Sequence, residues 1–94
     1  MPPRAMAAKI APMPGGVKSE IRRVLNDFGR LPLDAEEIDD RADLYSAGLG
    51  SHATVDVMLA LEEKFEIEFP TRMLNRSTFE SIVSIEAAVA ELTP

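Results

Sequence analysis

The sequence predicts an all-α fold: a bundle of three main helices plus one short helix, with a long first loop. Three observations carry this expectation. The apolar residues are mainly Ala, Leu, Ile, Val and Met, with few aromatics and no tryptophan, a composition that favours helices over sheets. They recur at helical intervals of three and four residues in separate segments. The chain has 94 residues and no cysteine, so it forms one small domain stabilised by packing alone, without disulfides or thiolate metal sites.

Residues 1–16 include Pro2, Pro3, Pro12, Pro14, Gly15 and Gly16, which leave few positions where a helix can propagate. They are expected to be a disordered tail, followed by one domain over residues 17–94. Val17, Ile21, Val24, Leu25 and Phe28 follow the i, i+4, i+7, i+8, i+11 pattern of an amphipathic helix, with Gly29 as its stop. A long connection with Pro32 and an acid-rich stretch at residues 34–43 comes next. It is too long to lie featureless in a compact domain, and Leu31, Leu33, Ile38, Leu44, Tyr45 and Leu49 are expected to pin it across the bundle. Gly48 and Gly50 mark tight backbone before the second main helix, SHATVDVMLALEEKF, which starts at Ser51 and ends at Phe65. A short helical piece is expected around residues 71–75, with Met73 and Leu74 facing inward. Ser77 and Glu80 then have the S-x-x-E spacing of a capping box, opening a last helix with Phe79, Ile82, Val83, Ile85, Ala88, Val89 and Leu92 as its apolar positions.

The helix from Ser51 has two apolar faces. At about 100° per residue, Val57, Met58, Leu61 and Phe65 share the side that packs into the bundle. Val55 and Leu59 fall on the opposite side with His52, Glu62 and Glu63, where a helix in a small bundle ordinarily presents only polar residues. An exposed aliphatic pair ringed by carboxylates has the character of a docking surface. The plain alternative is that the long loop covers it.

Charge narrows the function classes. The formal net charge is −6, and Arg4 and Lys9 lie in the tail, so the remaining eight bases face all 16 acids. Such a surface disfavours nucleic acid and anionic membrane and steers basic partners toward it. No apolar run reaches the roughly 20 residues of a membrane span, and the first residues lack the apolar stretch of a secretory signal. A cytoplasmic monomer is the expectation.

The stretch ADLYSAGLGSHATVDVMLALEEKFEIEFP resembles the acyl carrier protein family around its phosphopantetheine site. That family shows D-L-x-x-x-G-hydrophobic-D-S-L, then a helix ending L-E-E-x-F, then I-x-I-P. Asp43, Leu44, Gly48, Leu49 and Ser51 match the front of the pattern. Leu61, Glu62, Glu63, Phe65, Ile67, Phe69 and Pro70 match the back. The resemblance implies an acyl-carrier-protein-like bundle in which Ser51 takes a covalent 4'-phosphopantetheine arm from coenzyme A, through a Mg²⁺-dependent phosphopantetheinyl transferase. The arm's thiol then holds an acyl or aminoacyl cargo as a thioester. The resemblance also implies that His52, Val55, Asp56, Leu59, Glu62 and Glu63 dock partner enzymes, among them a loading ligase or acyltransferase with a basic surface. A hydroxyl at the start of a helix suits this role, because the unpaired N–H groups there favour an attached phosphate.

Two departures from the pattern matter. Gly50 stands where an aspartate usually precedes the serine, and His52 where a leucine usually follows it. A housekeeping fatty-acid carrier is thereby disfavoured. In its G-L-x-S form the motif is similar to stand-alone carriers loaded by ligases resembling aminoacyl-tRNA synthetases, and more loosely to D-alanyl carriers and specialised lipid or polyketide carriers. An aminoacyl cargo is the favoured expectation.

Other classes fit less well. Ser51 and His52 as nucleophile and base would diverge by about 100° on a helix, so no enzyme is expected. Glu62, Glu63, Glu66 and Glu68 read as a solvated surface rather than a catalytic pair. Residues 34–43 lack the spacing of a calcium loop. The remaining competitor is an acidic helical adaptor using the same face without a prosthetic group.

Overall fold

The computed structural model describes residues 16–93. Five helices follow in order: α1 (Gly16–Phe28), α2 (Leu44–Ala47), α3 (Ser51–Phe65), α4 (Arg76–Phe79) and α5 (Ile82–Leu92). Single 3-10 turns at Ala35–Glu37 and Thr71–Met73 complete the set, and no strand occurs among the described residues. The three long helices are those the apolar spacing marks out, and the short helical piece expected around residues 71–75 is the 3-10 turn Thr71–Met73, with the one-turn helices α2 and α4 in addition. The expected tail lies outside the described residues apart from Gly16, which opens α1.

Helix α1 packs against both α3 and α5. Ile21, Val24 and Leu25 of α1 meet Ala53, Val57 and Leu61 of α3 and Ile82, Ile85, Ala88 and Val89 of α5 in one buried cluster. Leu61 and Ile85 are fully buried, each gaining roughly 2 kcal/mol from burial. Ala35, Ile38, Leu44 and Leu49 from the long loop, with Phe69, Met73 and Phe79, close the ends of the core. Phe69 and Phe79 meet edge to face at 5.3 Å between ring centroids.

The long loop is tied to α1 by polar contacts that its acidic composition supplies. The Arg22 guanidinium donates to the carbonyl oxygens of Ala35 and Ile38 at 3.1 and 2.8 Å and to Asp40 at 2.6 Å. Lys18 reaches the same carboxylate at 3.0 Å. The Asn26 amide donates to Asp34 and accepts from the Ala35 N–H. Asp34 caps the first 3-10 turn and Asp43 caps α2. The acids of residues 34–43 that carry structure are thus caps and ion-pair partners, and among the described residues no cluster of three or more His, Asp or Glu is placed to hold a metal ion.

The structure corrects several expectations. The last helix does not begin with a Ser77–Glu80 capping box. Asn75 caps the one-turn α4, and Ser81 with Ser84 makes the box that opens α5. The break has a tertiary cause: the Glu80 carbonyl accepts from the Leu44 N–H at 2.7 Å and the Asp40 carbonyl accepts from the Val83 N–H at 3.0 Å, so the loop takes groups that a continuous helix would use. Leu74, expected inside, is exposed, as are Leu33 in the loop and Phe28 at the end of α1. Gly29 closes α1 through a bond from its N–H to the Leu25 carbonyl at 2.8 Å, yet the left-handed residue is the next one, Arg30, at φ 55°. A side chain in that region costs roughly 1 kcal/mol relative to glycine.

Candidate functional site

Ser51 is the first residue of α3, the longest helix, and it is exposed. Its position is set by the backbone before it. Gly48 turns at φ 123°, a conformation that favours glycine, and a Cβ there would meet Pro32 Cδ at 2.9 Å. Leu49 is then buried, its N–H donating to the Leu44 carbonyl at 2.9 Å. That anchor two residues upstream holds the helix start against the core while leaving Ser51 outside.

The N-cap is Gly50, which offers no side-chain cap. Its carbonyl accepts from both the N–H and the hydroxyl of Thr54, at 2.9 and 2.8 Å. Ser51 is therefore not spent as a helix cap, and no side chain of the cap residue claims the N–H groups of the first turn. A hydroxyl, a helix N-terminus and open space around Gly50, whose Cβ would meet nothing within 4 Å, together fit a phosphate-linked arm.

Beside Ser51 a groove of about 450 Å³ runs between α3 and the α4 region. Val55, Met58, Leu74 and Phe79 form its apolar wall, with Thr54, Asn75, Tyr45 and Arg76 at its polar edge. The Arg76 guanidinium lies 4.3 Å over the Tyr45 ring, a cation–π contact. The sequence alone does not mark this groove: its only trace there is the helical spacing of Val55 and Met58, and Leu74, expected to face inward, lines it instead.

The expected docking residues do not act as one set. Val55 and Leu59 are 51% and 52% exposed, and the loop does not cover them. Glu63 is exposed on the same helix. Glu62 is half-buried and accepts the Phe69 N–H at 2.9 Å, so it anchors the segment after α3. One Asp56 carboxylate oxygen lies 3.7 Å from the Arg30 guanidinium and 3.8 Å from His52 Nδ1. Arg30 was not among the residues singled out from the sequence.

Helical packing, a long pinned loop and an exposed serine opening the longest described helix fit a carrier-type domain. The comparisons with known proteins agree, since the model of a family described as a phosphopantetheine attachment site matches residues 17–89. The chain belongs to that family, and its prosthetic group is 4'-phosphopantetheine. An aminoacyl carrier protein of Agrobacterium fabrum is 51% identical over 73 residues, covering 78% of this chain and 88% of that protein. A D-alanyl carrier protein of Lactobacillus helveticus is 33% identical over 78 residues, covering 80% and 92%. Among solved structures, a carrier protein from Agrobacterium tumefaciens, in complex with an engineered Bradyrhizobium japonicum glycine:carrier protein ligase and AMP, superposes with a TM-score of 0.76. It shares 51% identity, covering 78% of this chain and 97% of that one. The protein is a carrier, as its relatives are named.

Proposed function

We propose that Ser51 carries the phosphopantetheine arm and that the cargo is an aminoacyl group, loaded by a ligase of the kind seen bound to the Agrobacterium tumefaciens carrier. The observation that carries this reading is the exposed Ser51 hydroxyl at the first position of α3, next to a glycine cap that leaves the helix terminus free. A phosphopantetheinyl transferase attaches the arm: the serine oxygen loses its proton and bonds to the phosphorus next to the pantetheine as the pyrophosphate link of coenzyme A breaks, with adenosine 3',5'-bisphosphate leaving. When attached, the arm supplies a thiol that holds the cargo as a thioester.

The protein's own residues position and present. Leu49 and Gly48 fix where the hydroxyl emerges, and Val55 and Leu59 offer an uncovered aliphatic contact to the partner. Glu63 supplies the exposed charge that steers a basic docking surface, while Glu62, Asp56 and His52 border it. The likeness to an aminoacyl carrier over most of both chains supports the cargo assignment. No described helix is long and apolar enough to cross a membrane, and the reading places a monomer in the cytoplasm.

Intact mass tests the attachment. After incubation with coenzyme A, Mg²⁺ and a broad-specificity phosphopantetheinyl transferase, the wild type gains one arm and Ser51→Ala gains none while remaining folded. A wild type that gains nothing, or a Ser51→Ala variant that still does, overturns the assignment. Loading is read the same way, as the mass of one amino acid added to the holo form by a ligase and ATP.

A further inference from the structure

The Ser51 end of the docking face is not acidic. Arg30 and His52, with side chains 71% and 84% exposed, both approach the same oxygen of Asp56. The Arg30 guanidinium, always charged, and the His52 ring thus share one carboxylate beside the residue that bears the arm. Glu63, two helical turns further along α3, is exposed. The face therefore runs from an edge near Ser51, where the exposed Arg30 guanidinium stands beside Asp56, to an anionic one near Glu63.

Arg30 is also an expensive residue for its place. The chain reverses there through a left-handed backbone, φ 55°, which glycine or asparagine meets with less strain. The other non-glycine residue in this region, Glu66, closes α3 with its N–H on the Glu62 carbonyl. Arg30 has no such duty, because Gly29 already closes α1. Its ion pair with Asp56 is long and solvent-exposed, and such pairs add little stability. Fold stability alone would favour glycine at position 30. Strain kept at a residue that gives the fold little return points to function.

We propose that Arg30, with His52 beside it, is a partner-recognition point, engaged by a carboxylate side chain on the ligase that loads the arm. This rests on the carrier reading given above. The partner surface that fits is mixed: an acidic group opposite Arg30, an apolar patch over Val55 and Leu59, and basic groups opposite Glu63. Such charge alternation fixes register and rejects partners whose surface is uniformly basic, because a lysine facing Arg30 is repelled.

The test uses the holo protein, prepared with a phosphopantetheinyl transferase, and the Bradyrhizobium japonicum glycine:carrier protein ligase with glycine and ATP. Arg30→Gly is expected to melt at the same temperature as wild type or up to about 5 °C higher, and to accept the arm normally by mass. Its KM as a ligase substrate should rise about fivefold or more with little change in kcat, Arg30→Glu should be worse, and Arg30→Lys should recover most of the loss. Equal KM for wild type and Arg30→Gly overturns the proposal, as does a melting temperature several degrees lower in Arg30→Gly, which would make Arg30 a structural residue. Failure of wild type to gain the arm, or of the holo protein to be loaded at all, overturns the carrier–ligase reading and this inference together. Normal loading of wild type with an indifferent Arg30→Gly removes this inference alone.

Discussion

The backbone N–H of Phe69 donates to the Glu62 carboxylate at 2.9 Å. Phe69 is buried against Phe79, so this single bond fixes the extended segment that turns from α3 back over the core. The adjacent acid, Glu63, points to solvent. Two neighbouring glutamates of one motif thus differ: one holds the fold, and the other is exposed where the proposed docking face would use it.

Substitution separates them. Glu62→Ala leaves the Phe69 N–H without its partner in a part-buried setting and should cost about 1–3 kcal/mol, lowering the melting temperature by roughly 4–8 °C per kcal/mol for a domain of this size. Glu62→Gln keeps an acceptor and should recover most of that. Differential scanning calorimetry of the three proteins decides; a Glu62→Ala variant as stable as wild type would mean the bond carries no weight.

Glu63→Lys should behave in the opposite way, with the melting temperature nearly unchanged and association with a basic partner slowed. The slowing should be greatest at low ionic strength, since exposed charges act through a screened field. Stopped-flow association rates across a salt series provide the measurement. Identical salt dependence in wild type and variant would remove Glu63 from the steering role.

Leu59 lies on the uncovered face at 52% exposure. Leu59→Ala removes little buried area and should shift stability by no more than about 0.5 kcal/mol, yet as a central apolar contact it should weaken loading about fivefold or more. Thermal melts and loading kinetics together test it. A large drop in melting temperature would show that Leu59 belongs to the core.

Much of this was legible from apolar spacing because burial in a bundle follows helix periodicity. Ile21, Val24 and Leu25, Val57 and Leu61, and Ile82, Ile85 and Val89 all lie in the core as their intervals require, and α3 spans Ser51–Phe65 as its helix formers indicate. What spacing cannot show is competition between equivalent local signals. Residues 75–84 hold several polar caps at three-residue offsets, and only the loop bonds to Glu80 and Val83 select Asn75 and Ser81 over Ser77. Leu74 faces the groove beside Ser51 because the 3-10 turn Thr71–Met73 rotates it outward, which the residue type does not encode. Glu62 and Asp56 have the composition of a solvated face, and their partners, Phe69 and Arg30, come from other segments of the fold.

The long loop should make the protein acid-sensitive. Hydrogen bonds from Arg22 and then Lys18 hold the Asp40 carboxyl below the usual carboxylate range, and the Glu36 N–H and Asn26 amide do the same for Asp34. Because these folded-state values lie below the unfolded ones, their stabilisation is complete above the ordinary carboxylate pKa and is lost as pH falls through the folded values. Melting temperature should therefore be flat near neutrality and fall below about pH 4. Asp40→Asn should melt lower than wild type at pH 7 and converge with it toward acid. Parallel curves for the two proteins would show that Asp40 does not contribute to the transition.

Gly50 gives the sharpest test of how the start of α3 is used. Its backbone, φ −88° and ψ 166°, suits any residue, and a Cβ there meets nothing within 4 Å, so Gly50→Asp introduces no clash. The new carboxylate can accept from the first-turn N–H groups, and replacing a glycine cap by aspartate is worth a few tenths of a kcal/mol. The apo protein should therefore melt slightly higher. With the arm attached to Ser51 the phosphate occupies the same helix end, and the two anions repel, so the gain should shrink or reverse in the holo form. Melting temperatures of apo and holo wild type and Gly50→Asp close the cycle. An equal gain in both forms would show that the phosphate does not draw on the N-terminus of α3, and that the glycine cap is not what leaves room for it.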